Sequence, residues 1–323
     1  VKKLGSTGKF LVKLVISAVL MAFLVKKISL AHVHEIISSL NGGTLLAAAV
    51  VFFISNCLGA LQWHLLLTAG GVELAFARTF RFYFVGLFFN NFLPANIGGD
   101  AVKIYDVSRM GSDVYKVAAV TILDRVLGIF SLCLLASVAA MSRIRSGADG
   151  AIWVYLAIFL GCMIPAVGFY MVKPLGRALR RSILAIRIFR VNERLTQLLD
   201  HLGGFKGRYS LICPLIALSI VIQGLRVTTH ILVASAVGIE IGSATIVQFF
   251  VFIPILSLAM IPPVTVNGLG VREGLGMVLF RRAGILKTEA FMIEFTTYLV
   301  SVTVSLLGWV FFVTRKSVSR EDV

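Results

Sequence analysis

Charged side chains interrupt stretches of this sequence that are otherwise apolar. Asp124 and Arg125 break the run ILDRVLGIF, Arg226 and His230 stand four residues apart in a second run, and Glu294 lies in a third. Asp100, Lys103, Arg272 and Glu273 follow two breaks rich in Pro, Gly and Asn. A charge at the centre of a bilayer costs about 2.5–3.5 kcal/mol on insertion scales, so those that persist face a partner or a polar interior. Two chemistries fit these residue types. One is anion binding. Gly98-Gly99 and Asn267-Gly268 are each expected to open a half-helix. The free N–H groups and partial positive charge at such an end suit a phosphate. Lys103 and Arg272, each about one turn further on, add a cation. In this reading they bind an anionic headgroup in turn, while Asp124 and Glu294 balance charge or carry a coupling proton. The other chemistry is structural: Asp124 and Arg125 pair with neighbouring helices, and Glu294 pairs with Arg226.

The two breaks match each other. Pro94 is followed by Ile97, Gly99 and Lys103 at offsets of 3, 5 and 9. Pro263 is followed by Val266, Gly268 and Arg272 at the same offsets. Asp124 lies 30 residues past Pro94, and Glu294 lies 31 past Pro263. Each break reads FLPANIGGD or PPVTVNGLGVRE, and a Pro followed by Gly ends a helix. Non-helical backbone at membrane depth persists only where protein or a watery cavity covers it. Segments 79–109 and 244–283 are therefore expected to be re-entrant helical hairpins, with Gly270 and Gly274 letting the second pack closely.

The elements that carry these groups follow from composition. The chain has 323 residues, of which 58% are hydrophobic, and a mean hydropathy of +0.95. A soluble domain needs more polar surface. Apolar runs at 10–28, 44–68, 113–140, 151–172, 210–237 and 288–313 are long enough to cross a hydrocarbon core as helices. The alternation of a β-barrel is absent. The expected fold is an all-α polytopic membrane protein of about six full spans plus two re-entrant hairpins. Residues 1–323 form one integral membrane domain, with inverted-topology repeats at 1–142 and 150–314. Such architectures place a transporter's site near the midplane between the repeats.

Basic residues assign the sides. Lys2, Lys3, Lys9 and Lys13 put the N-terminus in the cytoplasm, and Arg315, Lys316 and Arg320 put the C-terminus there. The dense cluster from Lys173 to Arg208 belongs on the same side. Arg143, Arg145, Arg281, Arg282 and Lys287 fall outside in this arrangement. The N-terminal run carries no clear cleavage site and is expected to be a retained span. Within 174–206, apolar residues at helical spacing suggest an amphipathic segment on anionic inner-leaflet lipid. An ordinary positive-inside loop is the alternative.

Other functions find little support. The net charge of +16 is distributed between spans, so nucleic acid is not an expected partner. Cys57, Cys133, Cys162 and Cys213 each stand alone in apolar sequence, as small buried hydrophobes do. His32, His34 and Glu35 lack HExxH spacing and read as part of a polar loop, so no metal or other cofactor is expected. Neither a Walker A pattern nor a GxSxG pattern occurs, and no nucleophile stands beside a clear base.

The blocks NNFLPANIGGDAVKIYDVSR, ILDRVLGIF and PPVTVNGLGVREG, in that order, resemble the transmembrane region of lysylphosphatidylglycerol synthases, the flippase-like domain family. The resemblance covers nearly the whole chain. It implies a bacterial or archaeal membrane protein that moves an aminoacylated phospholipid between leaflets, the lipid being made by a separate soluble domain. No such domain follows the last span here, so aminoacyl transfer is not expected, although chains of this kind can inherit the synthase name. The resemblance carries functional weight onto Asn91, Pro94, Gly98, Gly99 and Asp100. It does the same for Asp124 and Arg125, and for Pro263, Asn267, Gly268, Gly270, Arg272 and Glu273. Lys103 stands where the family often has Arg, which keeps the charge and loses the bidentate grip. A multi-pass translocator of an anionic or modified phospholipid, or of a lipid-linked group, in the cell membrane is the leading expectation; oligomers are compatible with it. The alternatives are a scaffold that docks a soluble lipid-modifying enzyme through 174–206, or a component of phosphatidylglycerol lysyltransferase-type modification.

Overall fold

In a computed structural model, residues 30–92, 98–144, 157, 159–161, 191–262, 265 and 267–314 are described. The described chain is helical. Its α-helices are α1 (Leu30–Ser39), α2 (Gly42–Ala69), α3 (Phe76–Phe92), α4 (Gly98–Ser108) and α5 (Val114–Ile144). They continue with α6 (Val191–Gly203), α7 (Tyr209–Ala236), α8 (Ser243–Ala259), α9 (Val271–Phe280) and α10 (Lys287–Val313). A 3₁₀ turn, Arg281–Ala283, extends α9.

Among the described residues, four helices are long and apolar enough to cross a membrane: Gly42–Ala69, Val114–Ser142, Tyr209–Ala236 and Lys287–Val313. At 1.5 Å per residue the 28 residues of α2 extend about 42 Å, more than a hydrocarbon core. They coincide within a few residues with four of the six expected spans. The spans expected at 10–28 and 151–172 fall outside the described residues, apart from a few positions near 160. So does the basic stretch from Lys173 to Arg190.

The second expected hairpin is broken where the sequence places the break, between Ala259 and Val271. In the first, α3 ends at Phe92 and α4 runs from Gly98, and residues 93–97 between them lie outside the described residues. Pro94 and Pro263 themselves lie outside the described residues. The two returning helices differ in onset. The helix α4 begins at Gly98, as expected. The helix α9 does not begin at Asn267-Gly268, because Asn267, Gly268 and Gly270 have φ of 46°, 72° and 85°. That left-handed run prolongs the turn by three residues. Arg272 is consequently the second residue of α9 rather than a turn inside it. Gly270 acts as the cap of α9 through its positive φ, a role distinct from the close packing expected of it.

The segment with His34 and Glu35 is also not a loop. Leu30, Val33, Ile36, Ile37 and Leu40 recur at helical spacing, and α1 packs on α10 with Ile36 buried.

The chain forms two compact units. One comprises 1–55, 84–102 and 225–314; the other comprises 56–83, 103–224 and 315–323. In the first unit α9 packs on α8 and α10. Backbones approach closely at two glycines there: a Cβ on Gly99 would overlap the Gly86 carbonyl, and one on Gly308 would overlap the Phe84 carbonyl. In the second unit α6 packs on α5. Arg208 donates to the Ala69 carbonyl at 2.9 Å and His201 meets Asp113 at 3.2 Å. Lys116 reaches the Gly71 carbonyl at 3.5 Å.

Gly308→Val should therefore destabilise the protein by at least about 2 kcal/mol, because backbone cannot yield as a side chain does. Gly242→Ala, with open space around its Cβ, should stay within about 0.5 kcal/mol. Thermal unfolding in detergent compares the two.

Candidate functional site

Eight polar residues converge inside the first unit. Seven of them come from α3, the turn before α9, α9 itself and α10, and the eighth, His230, from α7. Glu294 and Glu273 are fully buried and Arg272 is 8% exposed. The Arg272 Nη2 donates to Glu273 Oε1 at 2.8 Å. Its Nε lies 3.4 Å from Glu294 Oε2 without the alignment of a hydrogen bond, so that attraction is ionic. The guanidinium also lies over the Tyr298 ring, 5.2 Å from its centroid. His230 Nδ1 meets the other Glu294 oxygen at 3.1 Å. Glu273 uses its second oxygen to accept the Gly270 N–H at 2.6 Å, which ties the charge cluster to the start of α9. Arg272 is thus clamped by two carboxylates at a helix start, where acidic side chains are favoured by the dipole.

Glu294 pairs with Arg272 and His230, and not with Arg226 as the sequence suggested. The reason is reach: the prolonged turn before α9 sets Arg272 at the head of a helix packed directly on α10. Gly276, one turn further along α9, makes room, since a Cβ there would stand 3.0 Å from Glu294 Cγ.

The two hairpins meet in the same unit. Asn267 Nδ2 donates to Asn91 Oδ1 at 2.8 Å. Asn91 Nδ2 donates to Ser305 Oγ on α10 at 2.8 Å. Asn91 is 3% exposed and Ser305 fully buried. Neighbouring Asn90 accepts the Gly99 N–H at 2.8 Å, which caps the opening of α4. Asp100, beside it, is also buried. Along α10 the residues involved are Glu294, Tyr298 and Ser305, spaced as one helix face.

The second unit holds the other candidates. Lys103, 4% exposed, lies 4.9 Å from the centroids of both Trp63 and Tyr83. An aromatic enclosure of this kind stabilises a desolvated cation by about 2 kcal/mol. Asp124 Oδ1 accepts from Gln62 Nε2 at 2.8 Å, while Arg125 is exposed. The pairing of Asp124 with a neighbouring helix follows the structural expectation.

Several of these partners were not singled out from the sequence. Ser305 and Tyr298 look like ordinary residues of an apolar helix; their signal is the four- and eleven-residue spacing from Glu294. Trp63 and Tyr83 read as core aromatics, and Gln62 carries no motif at all. No group of three or more metal-binding side chains occurs among the described residues.

Long apolar helices, a broken helix before α9 and a buried charge cluster define a multi-pass helical membrane protein with a polar interior. The chain belongs to the family of the transmembrane region of lysylphosphatidylglycerol synthases, whose sequence profile matches residues 10–308. It is also similar to a UPF0104 membrane protein of Methanothermobacter thermautotrophicus, with 24% identity over 291 residues, 84% of this chain and 85% of that protein. Its family sets this protein in a membrane-lipid context.

The Asn91–Asn267 contact is open to direct test. In a background lacking the native cysteines, Asn91→Cys with Asn267→Cys should be bridged in membranes by a short bifunctional thiol reagent. Pairing Asn91→Cys with Leu286→Cys, on the exposed start of α10, should give no bridge. Mobility on a denaturing gel reads both outcomes.

Proposed function

We propose that the protein moves a phospholipid or lipid-linked group between the leaflets of the cell membrane, with both termini cytoplasmic. The observation that carries this reading is the buried cluster of Arg272, Glu273, Glu294 and His230, in the same unit as the contact between Asn91 and Asn267. Charges in spanning segments mark substrate or ion pathways far more often than they stabilise a fold. Broken helices at membrane depth supply the polar backbone that such pathways use.

In this proposal the spans number six, the breaks belong to re-entrant hairpins, and the halves 1–142 and 150–314 are inverted repeats. The side assignment draws support from two sets of contacts. Arg208 with Ala69, Lys116 with Gly71, and His201 with Asp113 gather three connections at one end of their helices. Asn41 N–H with the Ala236 carbonyl, at 3.2 Å, joins two ends that topology assigns to the other side. The basic segment 174–206 sits at the inner face in contact with anionic lipid.

The geometry revises the role of Arg272. A guanidinium held by two carboxylates has little charge to offer a phosphate. The cluster suits a headgroup that brings its own positive charge, as a modified phospholipid does. Gly98 keeps the phosphate-facing role that a helix start supports, the Gly99 N–H being taken by Asn90. The protein itself performs no covalent chemistry in this reading.

Reconstitution provides the test. Vesicles containing the protein should move a fluorescent-headgroup phosphatidylglycerol or its lysyl derivative to the opposite leaflet faster than empty vesicles, and Arg272→Ala should lose most of that rate. If instead the protein scaffolds a soluble lipid-modifying enzyme, wild type will move neither lipid. Reversing the charges between Lys173 and Arg194 will then abolish function in cells while Arg272→Ala leaves it intact.

A further inference from the structure

The buried cluster is not charge-balanced. Arg272 contributes one positive charge, and Glu273 and Glu294 contribute two negative ones. The remaining groups of this unit do not correct the deficit. Arg226 on α7 and Asp100 on α4 add one charge of each sign, as do Lys287 and Glu289 at the start of α10. Arg281, Arg282, His34, Glu35 and Glu240 are exposed, and α8 carries no charge. An uncompensated charge in a dry interior is strongly penalised. Among the described residues, the group in contact with the carboxylates that can supply the missing charge is His230, 3.1 Å from Glu294.

We propose that His230 and Glu294 together bind one exchangeable proton, and that its arrival and departure is the coupling step of translocation. The coupling role rests on the translocator reading; the proton site does not. With the proton bound, as imidazolium and carboxylate or as imidazole and carboxylic acid, the cluster is neutral and α7, α9 and α10 are held together. When the proton leaves to the aqueous phase, a neutral imidazole and an ionised Glu294 remain, and the cluster carries one net negative charge. That state is relieved by loosening α9 from α10 or by admitting a cationic headgroup. The contacts are graded for such a change. Arg272 and Glu273 form an aligned bond at 2.8 Å, whereas Arg272 Nε and Glu294 Oε2 are 3.4 Å apart and unaligned. Glu294 is therefore the carboxylate that can change charge without dismantling the start of α9.

Two measurements on the full chain test this. Infrared difference spectra of the purified protein, taken between acidic and alkaline buffer, should contain carboxyl and imidazole bands. The bands should vanish in Glu294→Gln and in His230→Gln and persist in Glu289→Gln. Their absence from wild type, or their survival in Glu294→Gln, overturns the proton site. In vesicles, a pH gradient should raise the flux of fluorescent-headgroup phosphatidylglycerol or its lysyl derivative several-fold in wild type and leave it unchanged in Glu294→Gln. Flux that ignores the gradient in wild type overturns the coupling and leaves the translocator reading standing. Bands with no flux of either lipid overturn the translocator reading and leave the proton site standing.

Discussion

An arginine held between two buried carboxylates in a chain built for lipid sets the terms for everything around it. Lipid cannot solvate Arg272, Glu273 or Glu294, so the protein must do so with its own groups. That demand explains why α9 starts where it does: Glu273 caps the Gly270 N–H with one oxygen and holds Arg272 with the other. It explains why α9 packs on α10, which brings Glu294 and the Tyr298 ring against the guanidinium. Replacing such a cluster with apolar residues of equal volume would cost little stability or even add to it.

The broken hairpins are the second consequence. A turn that leaves several peptide groups outside helical bonding has to find partners for them inside the protein. One side-chain amide does this work, Asn90 accepting the Gly99 N–H, while Asn91 binds the side chains of Asn267 and Ser305. Small residues do the rest, since Gly99 and Gly308 let backbones come together where any side chain would collide. The amide contacts are each modest, about 1 kcal/mol net.

Much of this was legible from residue types. Spans follow from apolar length because lipid permits little else, and the breaks follow from Pro94 and Pro263 with the glycines after them. Asn91, Arg272, Glu273 and Glu294 were visible as polar groups in costly places. The partnerships were not. Arg226 is the mate the sequence offers Glu294, until the left-handed run at Asn267, Gly268 and Gly270 fixes where α9 begins and Arg272 takes that place. The matched spacing of Lys103 and Arg272 likewise conceals different surroundings, an aromatic enclosure for one and a pair of carboxylates for the other. Spacing along a sequence reports which residues could be equivalent, while packing between helices decides what each one touches.

The clamp itself is tested most directly by a pair of charge-removing substitutions and the thermal stability of each purified variant. Arg272→Gln leaves two carboxylates facing each other without their cation, and should cost about 3–5 kcal/mol. Adding Glu294→Gln to that variant removes one of the two and should recover a substantial part of the loss. If the second substitution instead lowers stability further, Arg272 and Glu294 do not neutralise each other, and the buried charge cluster is not what organises this protein.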